Sequence, residues 1–316
     1  ALKLRSEDGR FIKDVDISLF INDLPNKKDT KKFTTEDASG STSQAAAVVE
    51  GIEAGTRLFL IDEDTSATNF MVRDEFMQQV ISRDKEPITP FLERAGDLYE
   101  KAGISTILVA GSSGAFFYIA DHILMMDCYR PVDITERVKG LCGGHTAPRV
   151  KAPGFAVPTF ERVLPAFRKA QKGRGRGWDG KEPETKNVGF AGGPEGDAQR
   201  EGRNGRGRGH GGDSRHDHMK TKSFGLESFS MDREEVNVRY LEQLLDPEQV
   251  NALAHLLCYG LEQVMDGRKT VRQTVESIWN AWEKQGWKPF AGSFVPCGLA
   301  KPRIQELYAC LNRFRG

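Results

Sequence analysis

Two adjacent carboxylates, Asp62 and Glu63, directly follow a run of apolar residues in the stretch LFLIDED. Acidic side chains at the end of a buried strand can hold a Mg²⁺ ion and orient a water molecule for attack on a phosphate. A strand end is rigid enough to place both groups. The alternative interpretation is a solvated acidic turn, and the letters LIDE alone do not decide between the two.

A second group of small polar residues, Ser39 to Thr42, stands just before a predicted helix. Free backbone N–H groups at the start of a helix attract anions, so this position suits a nucleotide phosphate. Ser41 and Gln44 also fit a capping box, which would begin the helix near Thr42. The alternative here is an ordinary capped helix.

The elements that position these residues predict an α/β domain over residues 1–142. Strands are predicted at 15–21, 57–61, 104–110 and 122–126. Helices are predicted at 43–54, 74–81 and 89–102. Short apolar strands that alternate with helices indicate a largely parallel sheet, whose ligand-binding edge lies at the carboxyl ends of the strands. Asp62 and Glu63 are therefore expected at that edge.

The rest of the chain divides into two further predicted regions. Residues 143–222 are rich in Gly and Arg and poor in aliphatic residues. This composition predicts a disordered insert, because too little apolar surface could be buried to offset the entropy of ordering it. Residues 223–316 are predicted to form a helical C-terminal subdomain, with helices at 236–245, 247–265, 271–285 and 303–313.

Composition limits the class of protein. The chain has 316 residues, and Lys+Arg and Asp+Glu are both 45, so no overall charge steers it toward a partner. Its five cysteines include no C-x-x-C pair, which disfavours a disulfide framework or structural zinc and favours a reducing compartment. No apolar run approaches the roughly 18 residues of a membrane span, so no membrane partner is expected.

The motifs occur in an order that resembles one family. The stretch DEDTSATN is similar to the D-E-P-T-S-A-L-D of ATP-binding-cassette (ABC) ATPases, and Ser39-Gly40-Ser41 stands where their L-S-G-G-Q signature would be. The longer string from FTTEDASGSTSQAA through LFLIDEDTSATNFMVRD to RPVDITER, together with GLAKPRIQELYACLNRFRG, resembles the predicted ATPases of the ABC class. The resemblance implies the C-terminal part of an ABC-type P-loop ATPase domain that uses ATP and Mg²⁺ and works as a homodimer or with another ATPase domain.

The resemblance also implies a role for each site residue. Asp62 would lie in the Mg²⁺ shell, and Glu63 would be the general base that orients the attacking water. The signature, the loop that contacts the partner domain and the loop after strand 104–110 supply the residues expected at the nucleotide: Ser39, Gly40, Ser41, Thr42, Ser66, Asn69, Ser112 and Ser113.

The chain departs from the family pattern in two places. No G-x-x-x-x-G-K-[ST] phosphate loop occurs, and the only Gly-Lys pair, Gly180-Lys181, lies in the insert. The phosphate loop is therefore expected before Ala1, and the 316 residues by themselves are expected to bind nucleotide poorly. Gly111-Ser112-Ser113 replaces the histidine usual in ABC proteins, so Ser112 or Ser113 is expected to contact the γ-phosphate.

The Gly/Arg insert predicts a contact with RNA. Arginines alternate with glycine at Arg174, Arg176, Arg203, Arg206 and Arg208. Arginine contacts phosphates and stacks on bases, so these residues are expected to bind single-stranded RNA with low sequence specificity. Interspersed acidic residues leave a solvated linker as the alternative.

Within the family, the insert makes the chain similar to the kinetoplastid mitochondrial ABC-type ATPases linked to RNA editing. That resemblance implies an RNA-processing complex as partner and the mitochondrial matrix as location. Reduced cysteines alone fit the cytoplasm, the nucleus and the mitochondrial matrix equally well. Two hypotheses remain. One is an ATPase coupled to RNA, favoured by the signature and the TSATN loop. The other is a non-catalytic RNA-binding accessory protein on an ATPase-like scaffold, favoured by the missing phosphate loop and histidine.

Overall fold

The computed structural model describes residues 1–73, 80, 86–143, 154–167, 219–232, 234–291 and 294–315. Ala1–Phe167 and Met219–Gly316 belong to one compact unit, so the first domain and the C-terminal subdomain pack together. Most of the predicted helix 74–81 and all five arginines predicted to bind RNA lie outside the described residues.

The described strands are β1 (Leu2–Leu4), β2 (Arg10–Val15), β3 (Phe33–Ala38), β4 (Leu58–Asp62), β5 (Ser105–Val109), β6 (Leu124–Asp127), β7 (Arg130–Asp133), β8 (Thr221–Phe224), β9 (Ser228–Met231) and β10 (Glu234–Asn237). The described α-helices are α1 (Gly40–Glu53), α2 (Thr68–Met71), α3 (Phe91–Ala102), α4 (Thr135–Cys142), α5 (Pro247–Tyr259), α6 (Val271–Gln285) and α7 (Ile304–Leu311). None of the helices in the described ranges is both long and apolar enough to cross a membrane.

A parallel sheet of order β1-β4-β5 lies at the centre of the first domain. Its middle strand β4 has the alternating burial expected of a strand, with Phe59 and Ile61 in the core. The prediction of a parallel α/β sheet is confirmed for these strands. Helix α3, predicted at 89–102, runs into β5 through Gly103, whose left-handed φ of 64° favours glycine.

Strand β5 is an edge strand among the described residues, and it exposes large apolar side chains. Ile107 is 56% and Val109 is 64% exposed. Parallel sheets are normally covered on both faces by helices. The composition of β5 is therefore typical of an interior strand, whose side chains are covered by another part of a protein.

The C-terminal subdomain combines an antiparallel sheet of order β10-β9-β8 with helices α5, α6 and α7. The predicted helix 236–245 is wrong, because β10 occupies its start and turns follow. Val236 and Val238 are both fully buried while Asn237 and Arg239 are exposed. Burial that alternates with a period of two is typical of a strand. The helix was predicted from the spacing of Leu241, Leu244 and Leu245, which follow this strand.

Two other strand predictions differ from the structure. The segment predicted at 15–21 is not a strand, since β2 ends at Val15 and the chain then turns, with Phe20 and Ile21 donating backbone hydrogen bonds to the carbonyl of Ile17. The strand predicted at 122–126 exists as β6 but pairs in an antiparallel hairpin with β7 and not in the parallel sheet.

The predicted insert 143–222 has structure where its ends are described. Phe155 and Phe160 pack against the core of the first domain, and Leu164 and Phe167 pack against the core of the C-terminal subdomain. At the other end, β8 joins the antiparallel sheet. The prediction of disorder is therefore wrong for 154–167, where aromatic and aliphatic residues supply apolar surface to bury. It is also wrong for Thr221 and Lys222, which are ordered by pairing with β9.

Candidate nucleotide site

Asp62 and Glu63 lie at the carboxyl end of β4, as predicted. Asp62 is the last residue of the strand, and Glu63 begins a short 3-10 turn, Glu63–Thr65. The Asp62 carboxylate accepts a hydrogen bond of 3.3 Å from the backbone N–H of Asp64. Both carboxylates are half-buried, so they are fixed by the strand yet open to a ligand.

The loop that follows β5 encloses the Glu63 carboxylate. Gly111, Ser112 and Ser113 donate backbone N–H hydrogen bonds of 2.8, 3.0 and 3.3 Å to its Oε2. The Ser112 hydroxyl donates a further bond of 2.9 Å to Oε1. Asp62 is paired with Val109 in the register of β4 and β5, which brings the two loops to the same sheet edge. Three successive N–H groups of this kind form a concavity suited to an anion.

These hydrogen bonds lower the pKa of Glu63. Partial burial alone would raise the pKa of this carboxyl, but the backbone and side-chain hydrogen bonds from Ser112, and then those from Gly111 and Ser113, outweigh it. The donors favour the charged form. Glu63 is therefore an anion at neutral pH, as a group that receives a proton from water must be.

A second set of hydrogen bonds joins the start of α1 to the loop after β4. The Ser41 hydroxyl donates to the Asn69 Oδ1 over 2.6 Å. The Gln44 amide donates to the Ser66 hydroxyl over 2.9 Å and accepts from the backbone N–H of Ala67 over 3.0 Å. The predicted signature, Ser39 to Ser41, and the TSATN loop are thus held together within one chain.

The structure corrects the expected role of Gln44. The proposed capping box with Ser41 is absent, because α1 begins at Gly40 and its N-cap is Ser39, which makes no side-chain capping bond. Gln44 is fully buried and points to the loop after β4. Its importance was missed because the local pattern S-x-x-Q satisfied a capping rule, and no local signal distinguishes that use from a tertiary contact.

The remaining signature residues have different surroundings. Ser39 is exposed, and its hydroxyl shares a hydrogen bond of 3.0 Å with that of Thr42. Gly40 lies so close to the Ser6 hydroxyl that an added Cβ would collide with it. Gly40 is thus needed for close packing, while Ser39 and Thr42 present hydroxyls at the surface.

The predicted residues therefore form two groups at one sheet edge. Glu63 lies with Ser112 and Ser113, and Ser41 lies with Ser66 and Asn69. The Ser66 hydroxyl donates a bond of 2.8 Å to the Asp62 carbonyl, which connects the two groups. The arginines predicted to bind RNA fall outside the described residues.

The donor set at the strand end suits Mg²⁺ that arrives with a nucleotide. Mg²⁺ keeps several water ligands and is usually bound through one or two carboxylates together with substrate phosphates. Asp62 offers one such carboxylate at a rigid position. Among the described residues, no group of three or more His, Cys, Asp or Glu could hold a metal ion without further ligands.

Two different family models match the two halves of the chain. Residues 1–161 match the family model of the ABC ATPase P-loop domain, and residues 220–316 match that of the MRB1590 C-terminal domain. A protein of Methanocaldococcus jannaschii called uncharacterized protein MJ1628 is 36% identical over 99 residues. That match covers 31% of this chain and 21% of the relative's length.

Proposed function

This chain belongs to the family of ABC ATPase P-loop domains, and from that premise we propose that it binds ATP with Mg²⁺ and hydrolyses the γ-phosphate. The observation that carries the proposal is the arrangement of Glu63 against Gly111, Ser112 and Ser113. It joins an ionised carboxylate to a set of anion-binding donors at the carboxyl edge of a parallel sheet, where ligands of such sheets bind.

Each group has a defined part in the reaction. Bound Mg²⁺, held through Asp62, would neutralise charge on the β- and γ-phosphates. When nucleotide binds, the N–H groups of the 111–113 loop and the Ser112 hydroxyl turn from Glu63 to the γ-phosphate oxygens. Glu63 then accepts a proton from water as the water oxygen bonds to phosphorus and the bond from phosphorus to the bridging oxygen of ADP breaks. The proton leaves Glu63 with the phosphate product.

The signature end of α1 is proposed to serve a second nucleotide. Ser39 and Thr42 present hydroxyls at the surface next to the first turn of α1, where backbone N–H groups favour an anion. Gln44, Ser66 and Asn69 hold this end against the loop after β4. The hydroxyls are thereby positioned to contact the γ-phosphate of a nucleotide held by a second copy or another ATPase domain.

The phosphate loop of this site is proposed to come from a segment other than residues 1–316. The sequence has no G-x-x-x-x-G-K-[ST], and β5 exposes Ile107 and Val109 at the edge of a parallel sheet. A further strand paired with β5 would bring the glycines of the loop to the end where Glu63 lies, and a helix that follows it would pack over those side chains. Both features support a composite ATP site.

Coupling to RNA is the second part of the proposal. The Gly/Arg segment between the two matched regions supplies arginines that alternate with glycine, a composition suited to single-stranded RNA. The match to the MRB1590 C-terminal domain supports the similarity to mitochondrial ATPases linked to RNA editing. We therefore propose that the protein acts in an RNA-processing complex of the mitochondrial matrix.

The decisive experiment is ATP turnover by the polypeptide that includes a phosphate loop, compared with its Glu63→Gln variant. Removal of a general base lowers kcat by about 10²–10⁴-fold. Asp64→Asn is the matched control, because it neutralises the adjacent, exposed acid and should leave turnover unchanged. Equal turnover in wild type and Glu63→Gln would leave the non-catalytic RNA-binding scaffold as the function. A change in turnover on adding single-stranded RNA would support coupling.

A further inference from the structure

Helix α1 contacts the candidate nucleotide site at one end and the C-terminal subdomain at the other. Its first turn carries Ser41 and Gln44, which bind the loop after β4. Its last turn carries Glu53, whose side chain is 1% exposed, and is followed by Ala54, which belongs to the core of the C-terminal subdomain. A helix transmits displacement between its ends because its backbone is hydrogen-bonded throughout.

Buried charges fix the C-terminal end of α1. Glu53 forms an ion pair with Arg162, whose Nε lies 3.1 Å from Oε2. Arg162 also donates over 2.6 Å to the side chain of Asn312, just beyond α7. Arg272 of α6 donates over 3.2 Å to the Glu53 carbonyl. Residues from three parts of the chain therefore converge on one helical turn.

A separate path joins the end of α7 directly to the signature. Arg313 forms a buried ion pair with Glu7. The backbone N–H of Glu7 donates to the Ser43 hydroxyl over 2.9 Å, and that hydroxyl donates to the Gly40 carbonyl over 2.8 Å. Arg313, Glu7, Ser43 and Gly40 thus form a continuous chain of contacts that ends in the Ser39–Ser41 segment.

The surroundings of this path are polar and incompletely packed. A cavity of about 30 Å³, large enough for a water molecule, is lined by Glu7, Arg10, Glu50 and Arg313 among other residues. Arg10 and Glu50 form a further buried ion pair, yet Arg10 Nε and Nη1 and Glu50 Oε1 have no partner atom within the described part of the chain. Buried polar atoms without partners cost free energy, so this cluster is held less firmly than one in which every polar atom is paired.

We propose that the C-terminal subdomain controls the position of the Ser39–Ser41 segment through Arg313, Glu7 and Ser43. These are positioning residues, since they act on the signature and not on the nucleotide. A ligand that displaces α7 would move Arg313 and, through Glu7 and Ser43, the first turn of α1. Any effect of this link on ATP turnover rests on the proposed function. The link between Arg313 and the Ser39–Ser41 segment does not depend on that function.

Hydrogen exchange tests the link without reference to catalysis. In Ser43→Ala, amides in the 40–46 segment should exchange about three- to tenfold faster, the range given by loss of one buried hydrogen bond. Arg313→Met should give the same local increase from the other end of the path. Glu306→Gln is the matched control: it alters a buried carboxylate of α7 that is paired with Arg303 and not with α1, and it should leave the 40–46 segment unchanged.

Two results would overturn the proposal. Unchanged exchange at 40–46 in Arg313→Met would show that no link exists, whatever Ser43→Ala does, because the Ser43 hydroxyl also bonds Gly40 locally. An equal increase in Glu306→Gln would show that any weakening of α7 has the same effect. If Arg313→Met does not fold, Glu7→Gln replaces it, because it removes the charge that faces Arg313 and keeps the backbone donor to Ser43. In the ATPase assay, Ser43→Ala should raise the KM for ATP about two- to tenfold and should change kcat less. This range follows from the loss of one hydrogen bond, which contributes about one to two RT.

Discussion

At its N-terminal end helix α1 is held by hydrogen bonds between neutral hydroxyls and amides, whereas at its C-terminal end it is held by buried ion pairs. Ser41 and Gln44 are as deeply buried as Glu50 and Glu53, so the two ends differ in the charge of the bonded groups and not in their access to solvent. Loss of one partner of a neutral hydrogen bond costs less than loss of one partner of a buried ion pair. A single substitution should therefore cost more at the C-terminal end of α1 than at its N-terminal end.

The largest effect is expected from breaking the buried pair at the C-terminal end. Glu53→Ala leaves the Arg162 charge buried without its carboxylate partner, and loss of one member of such a pair costs about 3–5 kcal/mol. Thermal and urea unfolding should both report this loss. Lys101→Ala is the control, because it breaks the surface pair with Asp97 and should change the free energy of unfolding by less than about 1 kcal/mol. Similar losses in the two variants would contradict the contrast.

A smaller effect is expected from Gln44→Leu at the N-terminal end. This change keeps the side-chain volume but removes the acceptor of the Ala67 N–H, and an unsatisfied buried donor costs about 1–3 kcal/mol. Urea unfolding measures the cost, and Thr42→Ala on the same helix serves as the comparison. If Gln44→Leu were as stable as wild type, the link between α1 and the loop after β4 would be contradicted.

The strands of the site were predictable because they are local. Runs of β-branched and apolar residues mark β4 and β5, and a strand end followed by two acids places Asp62 and Glu63. The contact between Glu63 and Ser112 was not predictable, since it joins positions 49 residues apart through strand pairing. Gln44 was misassigned for the same reason, because a local capping rule was satisfied while the tertiary contact determined its role.

The C-terminal subdomain shows a different cause of error. Val236 and Val238 alternate with exposed residues, but this strand signal is only four residues long. The following leucines have helical spacing and extended the predicted helix backward over it. The aromatic residues in 154–167 were likewise overlooked, because the longer segment around them is rich in Gly and Arg. Composition therefore predicts short ordered elements poorly when they lie beside long segments of biased composition.

A pH-dependent effect is expected from Ser112→Ala. The hydroxyl helps lower the pKa of Glu63, so the variant should have a pKa closer to the ordinary value of about 4.3. A lowered pKa stabilises the folded state above the unfolded pKa, and this contribution is lost as pH falls through the folded pKa. The variant should therefore be less stable than wild type at neutral pH and equal to it in acid. Titration of the Glu63 carboxyl by ¹³C NMR measures the shift.

The smallest effect is expected from Ser39→Ala. The Ser39 hydroxyl is exposed and makes no capping bond to the helix backbone, so the free energy of unfolding should change by about 0.5 kcal/mol or less. Nucleotide-dependent dimer formation, measured by light scattering, should nevertheless weaken. A large loss of stability with dimer formation intact would reverse the roles assigned to the two ends of α1.

The apolar edge of β5 has a practical consequence for handling the protein. Among the described residues β5 is an edge strand flanked by exposed side chains such as Ile107 and Val109, and an open strand edge is a template for pairing with any similar edge. Residues 1–316 expressed by themselves are therefore expected to associate in a concentration-dependent way.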